Sequence, residues 1–335
     1  LQVSQLIYSG GGVSATLDAQ RLTREASLLD LRATVDQVLA QVRGGYYDVI
    51  LARNRIEVQE QNIRLLEEQL ANARSRFEAQ SVSRFDVLRA EVELANAHPS
   101  LIRSRNAYRI AVDELYRVIG FNRDEFVGVL PSIVGDLSFT PVPAELEPSI
   151  TQALENRPEL QYLEVMRKAR EAGVRIARSN YLPNLSLYGG YEWVKDSMSD
   201  RVADSKDGWR VGIQSSWAIF DGRATQGRVI QARSQVRQVE IQLADQRVAV
   251  ELEVRRAVSS LQEALELTES ARKVVDQAEE ALRLADARYN AGSATQLDVL
   301  QTRVALTQAR TNQHEANYSY LIAESALRKA MGETR

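Results

Sequence analysis

Residues 76–88, Arg-Phe-Glu-Ala-Gln-Ser-Val-Ser-Arg-Phe-Asp-Val-Leu, recur as residues 288–300, Arg-Tyr-Asn-Ala-Gly-Ser-Ala-Thr-Gln-Leu-Asp-Val-Leu. Each copy ends one helical pattern and begins another, so it reads as the tip of an antiparallel helical hairpin. Gly292 suits a positive φ just past a helix end. Ser293 and Thr295 suit the cap of the next helix, whose first turn carries Asp298. The two copies belong to a longer repeat that aligns without a gap. Gln2 pairs with Gln214, Ile7 with Ile219, Gly10 with Gly222, Ala79 with Ala291, Asp86 with Asp298, Tyr108 with Tyr320 and Gly120 with Gly332. A duplicated unit constrains the fold more than any composition does.

Each unit reads as strand, long helix, tip and shorter helix. From about Val13 to Ala79 and from Ala224 to Asn290 there is no proline, and apolar residues such as Leu66, Leu70, Ala73 and Phe77 recur at helical spacing. A helix of that length spans roughly 100 Å, which implies a coiled coil or a helical tube. Gly44-Gly45 marks a bend or a close approach of backbones. The helix after the first tip runs from Phe85 to Ile119, with Pro99 expected to kink it or shift its bonding. Its counterpart runs from Leu297 to Met331. Residues 121–147 carry Phe121, Phe126, Pro131, Phe139, Pro141 and Pro143 and read as a compact irregular segment. A further helix is expected over 149–180, with Pro158 in its first turns.

Three stretches alternate. Residues 1–8 do so imperfectly, because Gln5 spoils one face. In 182–193, Leu185, Leu187, Tyr191 and Trp193 share one side, opposite Ser186, Tyr188 and Glu192. In 209–220, Trp209, Val211, Ile213, Trp217 and Ile219 oppose Arg210, Gln214 and Ser216. Lys195 to Asp207 reads as a charged loop. Strands of ~9–11 residues with one apolar face and aromatics near the ends suit a transmembrane barrel, with Tyr191, Trp193, Trp209 and Trp217 at the membrane interface. A half-buried hairpin of a soluble protein accounts for the same alternation.

Composition excludes several classes. The 335 residues carry a net charge of −3, so no basic excess points to nucleic acid. With no cysteine there is neither a disulfide scaffold nor a thiolate metal site. No apolar run approaches the ~18 residues of a membrane helix, and the opening Leu1 to Tyr8 shows no signal peptide. His98 and His314 occupy non-equivalent repeat positions and read as surface histidines. No zinc spacing, nucleophile elbow or phosphate loop is present, so the chain is expected to be neither an enzyme nor a cofactor carrier.

The lengths suggest an assembly. The helix after each tip covers about half of its long partner, and the helix over 149–180 covers the other half, which sets 121–147 at mid-height. A few strands from one chain leave open edges that lipid does not tolerate. A cyclic trimer is the simplest closure. Ala278, Ala281 and Ala285 suit close helix approach around a tube, and equally suit helix propensity alone.

With these features in order, the chain resembles the TolC-like outer membrane efflux proteins over essentially its whole length. The resemblance rests on the tandem repeat, Leu-Pro-Asn-Leu-Ser-Leu at 182–187, Ile-Phe-Asp-Gly-Arg at 219–223 and the tip from Tyr289 through Gly292 to Asp298-Val-Leu300. It implies a mainly α fold with a small β part: a trimeric α-barrel tunnel of long helical hairpins joined to a twelve-stranded transmembrane β-barrel, four strands from each chain. Residues 1–8 and 184–220 are then outer-membrane strands. Residues 13–120, 149–182 and 224–332 form the periplasmic α-barrel, and 121–148 an equatorial segment. The later repeat is preceded by a helix and a strand and the earlier is not, so an N-terminal helix and strand, plus a signal sequence, are expected in the natural protein.

The resemblance further implies a passive export duct. Its tips, Ala79, Gln80, Ser81, Val82, Tyr289, Ala291, Gly292, Ser293 and Ala294, would meet a periplasmic adaptor linked to an inner-membrane pump. Acids at the place of Asp298 and one turn later ring the pore in some members; here the later position is Gln301. A basic latch residue of some members falls at Ala294. Asp298 also reads simply as a helix-start acid. The competing function is a structural or adaptor-like coiled-coil protein without a channel, which leaves the aromatic strands without a role.

Overall fold

The computed structural model describes residues 2–121, 133–195 and 205–333. In order these form β1 (Gln2–Ser9), α1 (Gly12–Glu78), α2 (Arg84–Ile119), α3 (Leu146–Asn156), α4 (Pro158–Ser179), β2 (Asn184–Lys195), β3 (Ser205–Ser216), α5 (Ala224–Asn290) and α6 (Gln296–Ala330). The two long helices have 67 residues each, as their proline-free runs require. The chain divides into two compact units, Leu1–Ala33 with Arg157–Ala249, and Thr34–Asn156 with Val250–Arg335.

In the first unit the described strands form one antiparallel sheet in the order β1-β2-β3. Leu187 pairs with Ile213, Gly189 with Val211 and Tyr191 with Trp209, so the expected apolar positions share a face. Tyr188 pairs with Gly212 and Gly190 with Arg210 on the other face. In β1 the register shifts between Leu6 and Tyr8, which brings Tyr8 opposite Leu185 and onto the apolar face. Gln5 does sit on that face, opposite Leu187. Around the helices, Leu160, Val165, Ala169 and Ala172 of α4 are buried, with Val229, Val239 and Leu243 of α5. Arg175 of α4 pairs with Asp18 of α1 at 3.1 Å, and Arg247 of α5 with Glu164 of α4 at 3.0 Å.

Boundaries differ from expectation in three places. The charged loop expected from Lys195 to Asp207 is shorter, because the β2–β3 ladder runs on to pair Trp193 with Asp207, Val194 with Lys206 and Lys195 with Ser205. The third strand begins at Ser205 and ends at Ser216, so Trp217 to Phe220 lie beyond it. Asn184 pairs with Ser216, and the next residue back on β2's side is Pro183, which has no N–H to extend the ladder. Trp217 instead donates its indole N–H to the Tyr181 carbonyl at 3.0 Å. The helix expected over 149–180 starts earlier, at Leu146, and breaks at Arg157. Arg157 is extended (φ −62°, ψ 119°), because the residue before a proline is pushed out of the α region, and Pro158 then opens α4. By contrast α2 runs through Pro99, where both Pro99 and Ala95 are exposed.

The second unit holds the two hairpins. Leu70, Ala73 and Ala90 seal α1 to α2 near the tip, and Ile63, Leu66, Ala97 and Leu101 continue that core. Leu282, Ala285, Val299 and Leu306 do the same for α5 and α6. Between the hairpins, α1 and α6 meet through polar groups. Asp48 accepts from the Tyr318 hydroxyl at 2.7 Å, Arg55 pairs with Glu315 at 2.7 Å, and Gln61 accepts from Arg310 at 2.9 Å. Gly45 is a close approach, since a Cβ there would lie 3.3 Å from Leu115, whereas Gly44 faces open space.

Residues 133–145 carry neither helix nor strand; the rest of the expected irregular segment, 122–132, lies outside the described residues. Leu137 is buried with Ile50, Leu51 and Leu321, and Phe139 stacks on Tyr320 at 3.9 Å. The backbone is pinned as well. Tyr46 donates to the Val134 carbonyl at 3.0 Å, Arg53 to Ile133 and Gly135, and the Val142 amide donates to the Tyr320 hydroxyl at 2.9 Å.

Candidate functional site

The tips are built alike. At the first, the Gln80 amide donates to Phe77 and the Ser81 amide to Arg76 at 2.8 Å, with Gln80 left-handed at φ 58°. At the second, the Gly292 amide donates to Tyr289 and the Ser293 amide to Arg288 at 2.8 Å, with Gly292 at φ 73°. Both reversals satisfy carbonyls that the helix end leaves open. Each then enters a capping box. The Ser83 amide donates to Asp86 at 3.0 Å, and the Thr295 amide to Asp298 at 2.8 Å. In return, each acid's own amide donates to the capping hydroxyl. Hydrogen bonds from the Thr295 amide and hydroxyl hold the Asp298 carboxyl below the ordinary carboxylate range.

These contacts bring the two tips together. Arg76 donates to Asn290 at 2.7 Å and lies 4.7 Å from the Tyr289 ring centre, a cation–π contact. The buried Gln296 side chain reaches the Asp86 carbonyl at 3.4 Å. Of the expected tip residues, Ala79, Gln80, Ser81, Ala291, Gly292 and Ser293 are exposed, and Val82, Tyr289 and Ala294 partly buried. Asp298 and Gln301 are both exposed.

Sequence reasoning missed Arg303. It is buried, and donates to the Leu65 carbonyl at 2.7 Å and to Gln69 at 2.9 Å, so it ties α6 to α1. Burial pulls its pKa down, against the opposing pull of Asp286 and Glu68. The signal was present in the gapless alignment, which sets Glu91 against Arg303 and Arg74 against Asp286.

The sheet carries the other candidate surface. Trp209 is 80 % exposed, Val211 72 % and Ile213 70 %, so an apolar face stands uncovered. Tyr191 meets Trp209 edge-on at 5.4 Å and donates to Asp207. The opposite face carries an ion pair between Arg210 and Glu192 at 3.0 Å. Among the described residues no group of His, Cys, Asp and Glu is disposed to hold a metal, and no helix is long and apolar enough to cross a membrane.

Against known sequences, residues 1–121 and 149–333 match the profile of the outer membrane efflux proteins. The chain belongs to the outer membrane efflux protein family. Two curated proteins show what the chain is similar to. It is 25% identical over 298 residues to the alkaline protease secretion protein AprF of Pseudomonas aeruginosa, covering 89% of this chain and 62% of AprF. It is 20% identical over 335 residues to the outer membrane protein TolC of Vibrio cholerae, covering 99% of this chain and 76% of TolC. The chain therefore spans somewhat under two thirds of AprF's length and about three quarters of TolC's. Its fold matches the crystal structure of the transmembrane channel protein CusC with a TM-score of 0.84 at 19% identity, over 99% of this chain and 76% of that one. Membership of the outer membrane efflux protein family places the chain in the outer membrane.

Proposed function

We propose that the chain forms the wall of a passive outer-membrane export duct, assembled as a homotrimer. The observation that carries this reading is the uncovered apolar face of β2 and β3 on a sheet that has two open edges among the described residues. Water disfavours such a face, and lipid disfavours such edges, so the face calls for lipid and the edges for further strands. The strand directions say which strands. β1 and β3 are both antiparallel to β2, hence parallel to each other. Joining β3 of one copy to β1 of the next would make a parallel seam. One more strand from each chain, antiparallel to both, restores the alternation of membrane barrels. This supports four strands per protomer around a twelve-stranded barrel.

The strands then lie in outer-membrane lipid, with Tyr191, Trp193, Trp209 and Trp217 near its interfaces. The helices form the periplasmic tunnel, and 121–148 its equatorial segment. The paired tips, with Gln80, Ser81, Gly292 and Ser293 exposed, are the surface offered to a periplasmic adaptor and, through it, to an inner-membrane pump. Asp298, exposed and ionised, forms a threefold acidic ring that favours cations, with the neutral Gln301 one turn on. The chain does no chemistry of its own. A coiled-coil structural role has no use for the exposed sheet face.

Electron-microscope projections of the full-length protein extracted in detergent test the reading. A hollow threefold tube is expected. Solid rods or monomers would overturn it.

A further inference from the structure

In the first unit a groove of about 510 Å³ runs between α4 and α5. It is lined by Val174, Val236, Arg175, Arg178, Arg233 and Arg237, together with Glu171 and Glu240. All four arginines are exposed. The acids beside them are already engaged. Glu171 pairs with Arg167 at 2.8 Å, and Glu240 with Arg237 at 3.1 Å. Arg175 is held by Asp18. Arg178 and Arg233 make no ion pair among the described residues, so the four arginines of the groove outnumber its two glutamates, Glu171 and Glu240, and two guanidinium groups stay unpaired.

The repeat shows that this charge is not a generic helix surface. Residues 224–240 of α5 carry Arg228, Arg233 and Arg237 against one acid, Glu240. Arg233 aligns with Arg21, and the copies differ where α1 has Thr16 for Arg228, Asp18 for Ile230 and Glu25 for Arg237. The aligned residues 12–28 of α1 balance Arg21 and Arg24 with Asp18 and Glu25. The net basic excess is therefore found in the α5 copy and not in the α1 copy. Its position is equally specific. α4 ends at Ser179, shortly before β2 opens at Asn184, and α5 opens at Ala224, shortly after β3 closes at Ser216. The groove thus lies within a few helical turns of the sheet.

We propose that this groove binds the phosphate headgroup of an anionic phospholipid at the periplasmic face of the outer membrane. Arg178 and Arg233 grip the phosphate oxygens, and Val174 and Val236 take the first carbons of the glycerol ester. Guanidinium groups match phosphate with paired, charge-assisted hydrogen bonds, which a point charge does not reproduce. The proposal rests on the reading of the sheet as membrane-embedded. That placement gives the groove a headgroup layer to meet.

The test uses the full-length protein purified in detergent, with native mass spectrometry of bound lipid. Phosphatidylglycerol is expected to remain bound where phosphatidylcholine does not. The double substitution Arg178→Gln and Arg233→Gln is expected to weaken phosphatidylglycerol binding by about tenfold or more. Arg178→Lys with Arg233→Lys, which keeps the charge, is expected to fall between, and serves alone if the glutamine pair does not fold. Equal retention of the two lipids, or wild-type retention by the substituted protein, overturns the proposal. So does loss of bound lipid to an equal concentration of inorganic phosphate, which would make the ligand a free anion, or loss of the trimer with lipid binding unchanged, which would assign the arginines to a subunit contact. Failure of the duct reading shows separately, as release of the wild-type protein from membranes by carbonate without detergent.

Discussion

Glu91 and Arg303 hold the same place in the two hairpins and carry opposite charge. Their partners are exchanged with them: Arg74 meets Glu91 at 2.7 Å, and Asp286 meets Arg303 at 3.9 Å. The two pairs differ in burial. The Arg74 and Glu91 side chains are 57% and 40% exposed, whereas that of Arg303 is 9% exposed. Exchanging the first pair, Arg74→Asp with Glu91→Arg, is expected to change stability by no more than about 1 kcal/mol. Exchanging the second, Asp286→Arg with Arg303→Glu, is expected to cost on the order of 3 kcal/mol, because a buried carboxylate would face the Leu65 carbonyl. Denaturant midpoints of the two exchanged proteins measure the contrast. A wild-type midpoint for the second would show that the bonds to Leu65 and Gln69 do not hold the hairpins.

Gln80 and Gly292 pose the same turn with different residues. A side chain in the left-handed region costs roughly 1–2 kcal/mol, which glycine avoids. Gln80→Gly is therefore expected to raise the thermal midpoint, and Gly292→Ala, at φ 73°, to lower it. The measurement is thermal unfolding of each variant. Opposite shifts are required, since the hydrogen bonds of the two turns match.

The long helices were legible because proline and glycine punctuate the chain so sparsely: α5 was expected over 224–290 and is found there. The second tip was legible through Gly292 and through Thr295, which caps α6 with Asp298 in its first turn, whereas Ser293, also expected to cap, turns its hydroxyl back to the Arg288 carbonyl at 3.1 Å. What stayed hidden depends on partners distant in sequence. The end of β3 is set by Pro183 across the ladder, and the placement of Tyr8 by a register shift. Arg303 reads as one more surface arginine until α1 packs over it. Arg157 was a local signal that periodicity overrode, since the proline after it breaks the helix.

Gly135 and Tyr46 fix the irregular segment on α1. Gly135 has φ 147°, and a Cβ there would collide with the Tyr46 hydroxyl. Gly135→Ala is expected to cost about 2 kcal/mol through strain and displaced packing. Tyr46→Phe removes the hydroxyl and its bond to Val134, at about 1 kcal/mol. Because the same oxygen is the first obstacle to the new methyl, the double variant is expected to be more stable than the sum of the two losses implies. Strict additivity of the unfolding free energies would place the clash elsewhere.

Asp298 joins stability to transport. Its carboxyl titrates below its ordinary value because the Thr295 amide and hydroxyl bind the charged form. The folded state therefore holds this proton less tightly than the unfolded chain. Its contribution is fully present above the ordinary carboxylate range and is lost as pH falls through the lowered value. Asp298→Asn is expected to remove that part of the acid dependence, as read from unfolding midpoints across acidic pH. If three copies of the carboxylate also face one pore, the same variant lowers the duct's preference for cations at neutral pH. Gln301→Asp, which adds a second ring one turn on, raises it. Reversal potentials of the full-length protein in planar bilayers under a potassium chloride gradient read this directly. A lost acid limb with an unchanged reversal potential would leave Asp298 as a helix cap alone and remove it from the pore.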